Sequence, residues 1–298
     1  MRIHFIAAVW CLTAVLTGCA TTMPVQEVRQ ASAAYDAAAS AAAPLLDDLA
    51  VAERRAARRV AAAQKKDTLR EGDVTALLTF DARAAASFAS IGEPRNTATQ
   101  RRGLKVVGAY FDVLEVLAEG SNIEEARARI QTLAGNVAGL AALVTGGTSA
   151  LVAPVVAALG PIIDAAARAE NEDELRRLVL EGAKPVDDLL SRLIDSTPAI
   201  YGVLINESET AAEGPLADNK AARRAELLKI SGYHVALANY VVLLQQLRVS
   251  LEALVMAVRA PSRVTLTSLT ATTNELLIQA ESARRAYGLL RSPGGAGN

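Results

Sequence analysis

The sequence predicts an all-α protein: an elongated antiparallel multi-helix bundle with long helices and one apolar helical hairpin. Three observations point there. Apolar residues recur at three- and four-residue spacing between glycine and proline punctuation, the pattern of helices with one buried face. Alanine is abundant while aromatic residues make up only 4% of the chain, a composition suited to closely packed helices. Finally, the 34 residues from Ile130 to Ile163 carry no charge and are divided by the turn signal Thr145-Gly146-Gly147-Thr148.

Taken in order, Pro24 suits the first turn of a helix. From Val25 to about Lys66 an alanine-rich, charge-laced helix follows, with a bend expected at Pro44 because proline lacks a donor and crowds the preceding turn. A second helix is expected over Val74, Leu77, Phe80, Ala84, Phe88 and Ile91, ending at Glu93-Pro94. Leu104, Val107, Phe111, Leu114 and Ala118 mark a third, closed by Gly120. Ser121 and Glu124 form a capping box that opens the hairpin. After it, Asn171 and Glu174 cap a helix carrying Leu175, Leu178, Leu189 and Leu193, interrupted at Pro185. Pro198 starts a short helix that stops before Gly214-Pro215.

Two long C-terminal helices follow. Leu227, Ile230, His234, Leu237, Val241, Leu244, Arg248, Leu251, Val255 and Val258 step by three and four to Ala260-Pro261. The threonine-rich stretch beyond could suggest a strand, but Leu266, Leu269, Thr273, Leu276, Ala280, Ala283, Tyr287 and Leu290 keep a heptad spacing, which makes it helix. The connection at Pro261 is short, so these two seams are expected to pair with each other rather than with a second chain. Residues 25–291 read as a single bundle domain and 292–298 as a disordered tail.

The sequence offers little chemistry. His234 is the only histidine downstream of residue 4, and its seam position makes it a core or groove residue rather than a catalytic base. No histidine and cysteine cluster suggests zinc, no P-loop appears, and no dinucleotide fingerprint appears. The acidic clusters Asp47-Asp48, Glu124-Glu125, Glu172-Asp173-Glu174 and Asp187-Asp188 read as solvated faces and caps. So does the basic run Arg54, Arg55, Arg58, Arg59, Lys65 and Lys66. With 31 basic and 32 acidic residues, nucleic acid is not an expected partner. Neither an enzyme, a cofactor nor a small-molecule substrate is expected.

The apolar hairpin has two readings. An all-round apolar helix is usually core. Alternatively its tip contacts a bilayer or a partner groove through Gly135, Gly139, Leu143 and Thr145, Gly146, Gly147 and Thr148, the two glycines forming a small-xxx-small spacing that lets helices approach closely. Each arm holds about 14 residues, roughly 21 Å of helix, short of the ~30 Å hydrocarbon core. If successive helices simply alternate in direction, the tip lies at the same end as Val25. Long helices with an uncharged hairpin resemble, in architecture, the cytolysin-type α-helical pore-forming toxins. That likeness implies a hairpin stored in the soluble form and released into membranes.

The N-terminus is more specific. Arg2 precedes an uncharged apolar run from Phe5 to Val15, and Leu16-Thr17-Gly18-Cys19 resembles the lipobox of bacterial lipoproteins. The resemblance implies a signal peptide over residues 1–18, acylation of Cys19, and a lipid-anchored linker over 19–24. Ala20 following the cysteine implies outer-membrane sorting, with the body in the periplasm. Once processed, the chain would keep one cysteine, already acylated, and no disulfide. The expected function is a non-catalytic envelope scaffold bound to the membrane through its lipid and to an envelope protein of unknown identity. The competing expectation is a membrane-perturbing protein that uses residues 130–163.

Overall fold

The structure, a computed structural model, describes residues 25–70, 92–120, 123–143, 152–260 and 262–291. The expected signal segment, Cys19, the helix over Val74 to Ile91, the Ser121 cap, the Thr145–Thr148 tip and the C-terminal tail lie outside them. Among the described residues there are nine helices and no strand. They are α1 (Val25–Arg70), α2 (Arg95–Ala118), α3 (Ile123–Leu143), α4 (Ala153–Ala167), α5 (Glu172–Glu181), α6 (Ala183–Asp195), α7 (Thr197–Glu213), α8 (Lys220–Arg259) and α9 (Arg263–Arg291). The fold is the all-α multi-helix bundle that the periodicity predicts.

The longest element is α1, with 46 residues, and it runs on through Pro44. The expected helix is thus continuous across the proline. A mid-helix proline costs about 3 kcal/mol, but Ala41, Ala42, Leu45 and Leu46 are buried on both sides of it. The Tyr287 hydroxyl also donates to the Pro44 carbonyl at 2.8 Å, fixing this turn to α9. Packing on both flanks therefore outweighs the local penalty. At 40 residues α8 is on the order of 60 Å long.

The helices share one continuous core. α9 packs along both α8 and α1, α2 lies between α1 and α3, and α6 and α7 pack on α8. The pairing of α8 with α9 follows the expectation from their seams. Leu269, Thr273, Leu276, Ala280, Ala283 and Tyr287 are all buried. The seam of α8 holds only in part. Leu237, Leu244, Leu251, Val255 and Val258 are buried, but Leu227 is 48% exposed. His234 is exposed too, edge-on to Tyr201 at 5.6 Å, and so is not a core histidine. The buried face near the helix centre instead runs through Tyr240, Leu243 and Leu247.

Caps set the remaining boundaries. Asn171 Oδ1 accepts from Glu174 N at 2.8 Å, while Glu174 Oε2 accepts from Glu170 N at 3.2 Å, as the capping pair predicts. Gly120 closes the turn after α2 with φ of +64°. The break between α5 and α6 falls at Gly182 rather than Pro185. The added Cβ of a larger residue at 182 would lie 3.2 Å from the Tyr110 ring. Pro185 then sits in the first turn of α6, where its missing donor has no partner to lose.

A polar chain crosses this core. The Tyr240 hydroxyl donates to Gln100 Oε1 at 2.7 Å, Gln100 Nε2 donates to Ser196 Oγ at 2.6 Å, and Ser196 Oγ donates to Leu193 O at 2.7 Å. It joins α8, α2 and the junction of α6 with α7. Burial pushes the Tyr240 phenol well above its ordinary pKa, so it acts as a donor throughout the accessible pH range.

Candidate functional site

The hairpin arms are α3 and α4, which pack on each other and, through α3, on α2. Their burial is one-sided. Ile130, Leu133, Val137 and Leu140 of α3, with Val155, Leu159 and Ile163 of α4, enter the core. The outward positions Gly135, Ala138, Ala142, Pro154, Ala157, Ala158 and Pro161 are small, uncharged and exposed. Binary patterning by size rather than by charge thus makes these arms amphipathic.

Within the bundle neither hairpin glycine is closely approached by a neighbouring helix. A Cβ added at Gly135 would meet nothing within 4 Å, and one at Gly139 would meet only Arg102 Nη1 at 4.0 Å. The Arg102 guanidinium donates to the Gly139 carbonyl, holding this turn of α3 to α2. Leu143 is half-buried against the core. Two glycines of α2 are closely approached by side chains of other helices. A Cβ at Gly103 would stand 2.9 Å from Leu193 Cδ2, and one at Gly108 would stand 2.6 Å from the Tyr35 ring.

The direction of the hairpin is opposite to that expected from simple alternation. Arg29 near the start of α1 pairs with Glu119 at the end of α2, and Glu53 accepts from Asn96 N at 3.0 Å and Thr97 N at 2.9 Å at its beginning. α2 therefore runs back towards Val25. α3 reverses again, since Arg102 meets Gly139 and Asn136 Nδ2 donates to Lys105 O at 3.3 Å. Leu143 and Val152, which flank the tip, thus lie at the end away from Val25. Along α2 the separation from Glu119 to Arg102 is roughly 26 Å. Alternation fails because α1 continues far beyond Glu53, while Gly92 sits beside Arg54, whose Nη2 donates to its carbonyl at 2.6 Å. Whatever path the chain takes between them, α2 resumes in the direction of Val25.

Among the described residues, two concave regions are lined by several charged side chains. One groove of about 530 Å³ runs between α6 and α8, with Lys184, Asp187, Gln245, Arg248 and Glu252 on its walls. Arg248 is half-buried, not a seam residue, and clasps Asp187 through two bonds of 2.6 and 2.9 Å. Those hydrogen bonds raise its pKa further, so the guanidinium stays charged. The other, of about 370 Å³, lies between α1, α7 and α8. Its charges are largely matched internally: Arg55 with Glu207 at 2.8 Å and Lys229 with Glu226 at 2.7 Å. The bond from Lys229, helped by Ser208, holds the Glu226 carboxyl below its usual range. Asp48 accepts from the hydroxyls of Tyr233 and Tyr287.

The acidic clusters behave as faces and caps, with Asp47 bonded to Arg101, Glu124 to Arg127 and Asp188 to Lys184. Of the basic run, Arg54 and Arg55 are engaged, and Arg58 and Arg59 are exposed. Among the described residues no group of three histidine, cysteine or carboxylate side chains is placed to hold a metal. Set against known protein families, curated proteins and solved structures, the chain matches none.

Proposed function

We propose that the chain is a lipid-anchored envelope scaffold, held at a membrane through Cys19 and presenting its helical bundle to another envelope component. The observation that carries this reading is the order Leu16-Thr17-Gly18-Cys19 after an uncharged apolar run, six residues ahead of Val25. A linker this short would stand the bundle directly on the anchor.

Two experiments test it. Cells expressing the full chain are fed a clickable fatty acid. The wild type is expected to take up label and fractionate with membranes, and Cys19→Ala to lose both while keeping its helical circular dichroism. An equally labelled or equally membrane-bound Cys19→Ala protein would refute the anchor. The pore-like alternative needs the hairpin to leave the bundle. Ile130, Leu133, Val137 and Leu140 are buried in the bundle core, so releasing the hairpin would break that packing. Dye release from anionic vesicles by the chain starting at Ala20 would revive it.

A further inference from the structure

The corner between α8 and α9 carries side chains that its own fold does not explain. Arg263 stands in the first turn of α9, a turn with no acidic residue. A cation there opposes the helix dipole rather than complementing it. Among the described residues, neither Arg263 nor Arg259, in the last turn of α8, has a carboxylate partner. Val264, next to Arg263, is 79% exposed, the most exposed large apolar side chain among the described residues. From residue 253 to residue 274 these two arginines are the only charged side chains.

The corner is held in place from several sides. Ser262 N donates to Thr265 Oγ1 at 2.9 Å and Thr265 N donates to Ser262 Oγ at 3.2 Å, a reciprocal cap at the start of α9. Arg176 Nη2 donates to Val258 O at 3.1 Å, which ties α5 to the last turn of α8 and brings a third guanidinium there. Arg263 and Leu266 line a shallow concavity with Glu27, its one carboxylate among the described residues, so the corner lies beside the start of α1. Cys19 precedes Val25 by six residues, at most about 21 Å of extended chain. An acylated Cys19 would therefore hold this end of the bundle within reach of lipid headgroups.

We propose that this corner is a membrane contact, in which Arg259 and Arg263 bind lipid phosphates and Val264 enters the headgroup region. The proposal rests on the anchored reading and deepens it by naming the end of the bundle that touches the bilayer. Chemistry selects that occupant. Arginine meets phosphate oxygens through two parallel N–H groups. An apolar side chain flanked by cations belongs where headgroups give way to acyl chains. A corner of this size is too small for a stable protein interface, which takes about 20–30 residues a side. It suffices for a surface already held alongside by a covalent anchor, because the second contact is then effectively intramolecular.

The test uses the full chain with Cys11→Ser, reconstituted in vesicles of phosphatidylethanolamine and phosphatidylglycerol that carry a headgroup nitroxide. A nitrobenzoxadiazole dye is attached at Val264→Cys or at Leu227→Cys. Leu227 is also exposed but lies on the order of 50 Å away along α8. Nitroxide quenching is expected to be at least about three-fold stronger at position 264 than at position 227. Adding Arg259→Gln and Arg263→Gln to the Val264→Cys chain is expected to roughly halve it, with helix content unchanged. Equal quenching at the two sites, in chains that float with the vesicles, would overturn the proposal and leave the anchor standing. Quenching that is indifferent to loss of both arginines would overturn it as well. Chains that do not float with the vesicles would overturn the anchored reading itself, and this proposal with it.

Discussion

Replacing Gly135 and Gly108 by alanine, one at a time, tests whether the hairpin glycines are packing residues. At Gly135 the new methyl meets nothing within 4 Å, so the substitution should simply remove the entropic cost of a mid-helix glycine. That stabilises by about 0.8–1 kcal/mol. At Gly108 the same methyl would sit 2.6 Å from Tyr35 Cε1 and 2.9 Å from its hydroxyl oxygen. The Tyr35 ring cannot easily yield, because it is buried, stacked on Phe111 at 5.4 Å, and bonded to the Leu104 carbonyl. Overpacking costs about 1–3 kcal/mol, against which the helix-propensity gain of about 1 kcal/mol acts. The two variants should therefore diverge by about 1–3 kcal/mol, Gly135→Ala above wild type and Gly108→Ala at or below it. Urea unfolding followed by circular dichroism resolves such a gap. A Gly135→Ala protein less stable than wild type would refute the reasoning and restore Gly135 to a helix-packing or partner-bound face.

Three further outcomes are expected. Tyr240→Phe removes the donor to Gln100 Oε1 and strands a buried amide oxygen, which should cost about 1–3 kcal/mol in the urea midpoint. An unchanged midpoint would mean that the polar chain contributes nothing. Thr273→Val should do the reverse, because Thr273 Oγ1 is buried in the α8–α9 seam without a hydrogen-bond partner. An isosteric apolar group there should be neutral to stabilising by about 1 kcal/mol in thermal unfolding, and a clear loss would indicate an unseen partner. Glu226 has a depressed folded-state pKa, caused first by the bond from Lys229. Its contribution is present above the unfolded carboxyl pKa and fades as the pH falls through the lowered folded value. Glu226→Gln should thus narrow the stability difference between neutral pH and roughly pH 3, and an identical acid slope would dismiss the pair.

Much of the fold was readable because alanine, leucine and valine spacing is set by burial. The seam of α9 from Leu269 to Tyr287 and the apolar face of α2 were legible in the sequence. α8 was harder because it carries apolar residues on more than one face, so two heptad registers compete. The reading through Leu227, Ile230 and His234 followed one that the neighbouring helices cover only from Leu237 onward. The exposed register through Val235, Val242 and Val249 was equally present in the sequence, but only the packing shows which register is left over. The hairpin direction was illegible for a different reason. Parity counts elements, whereas the pairing of Arg29 with Glu119 depends on where a 46-residue helix meets its neighbour.

The polar chain from Tyr240 through Gln100 to Ser196 has a mechanical consequence. Apolar helices slide or roll against each other at low cost, since one methyl group is much like the next. A one-turn slip of α8 would move it by about 5.4 Å and would pull its hydroxyl off Gln100, leaving several polar atoms dry at once. Small sliding motions, the usual way for packed helices to rearrange, are thereby blocked at the centre of the rod. Load applied at one end should travel to the other as displacement of the whole body rather than dissipate in internal shear.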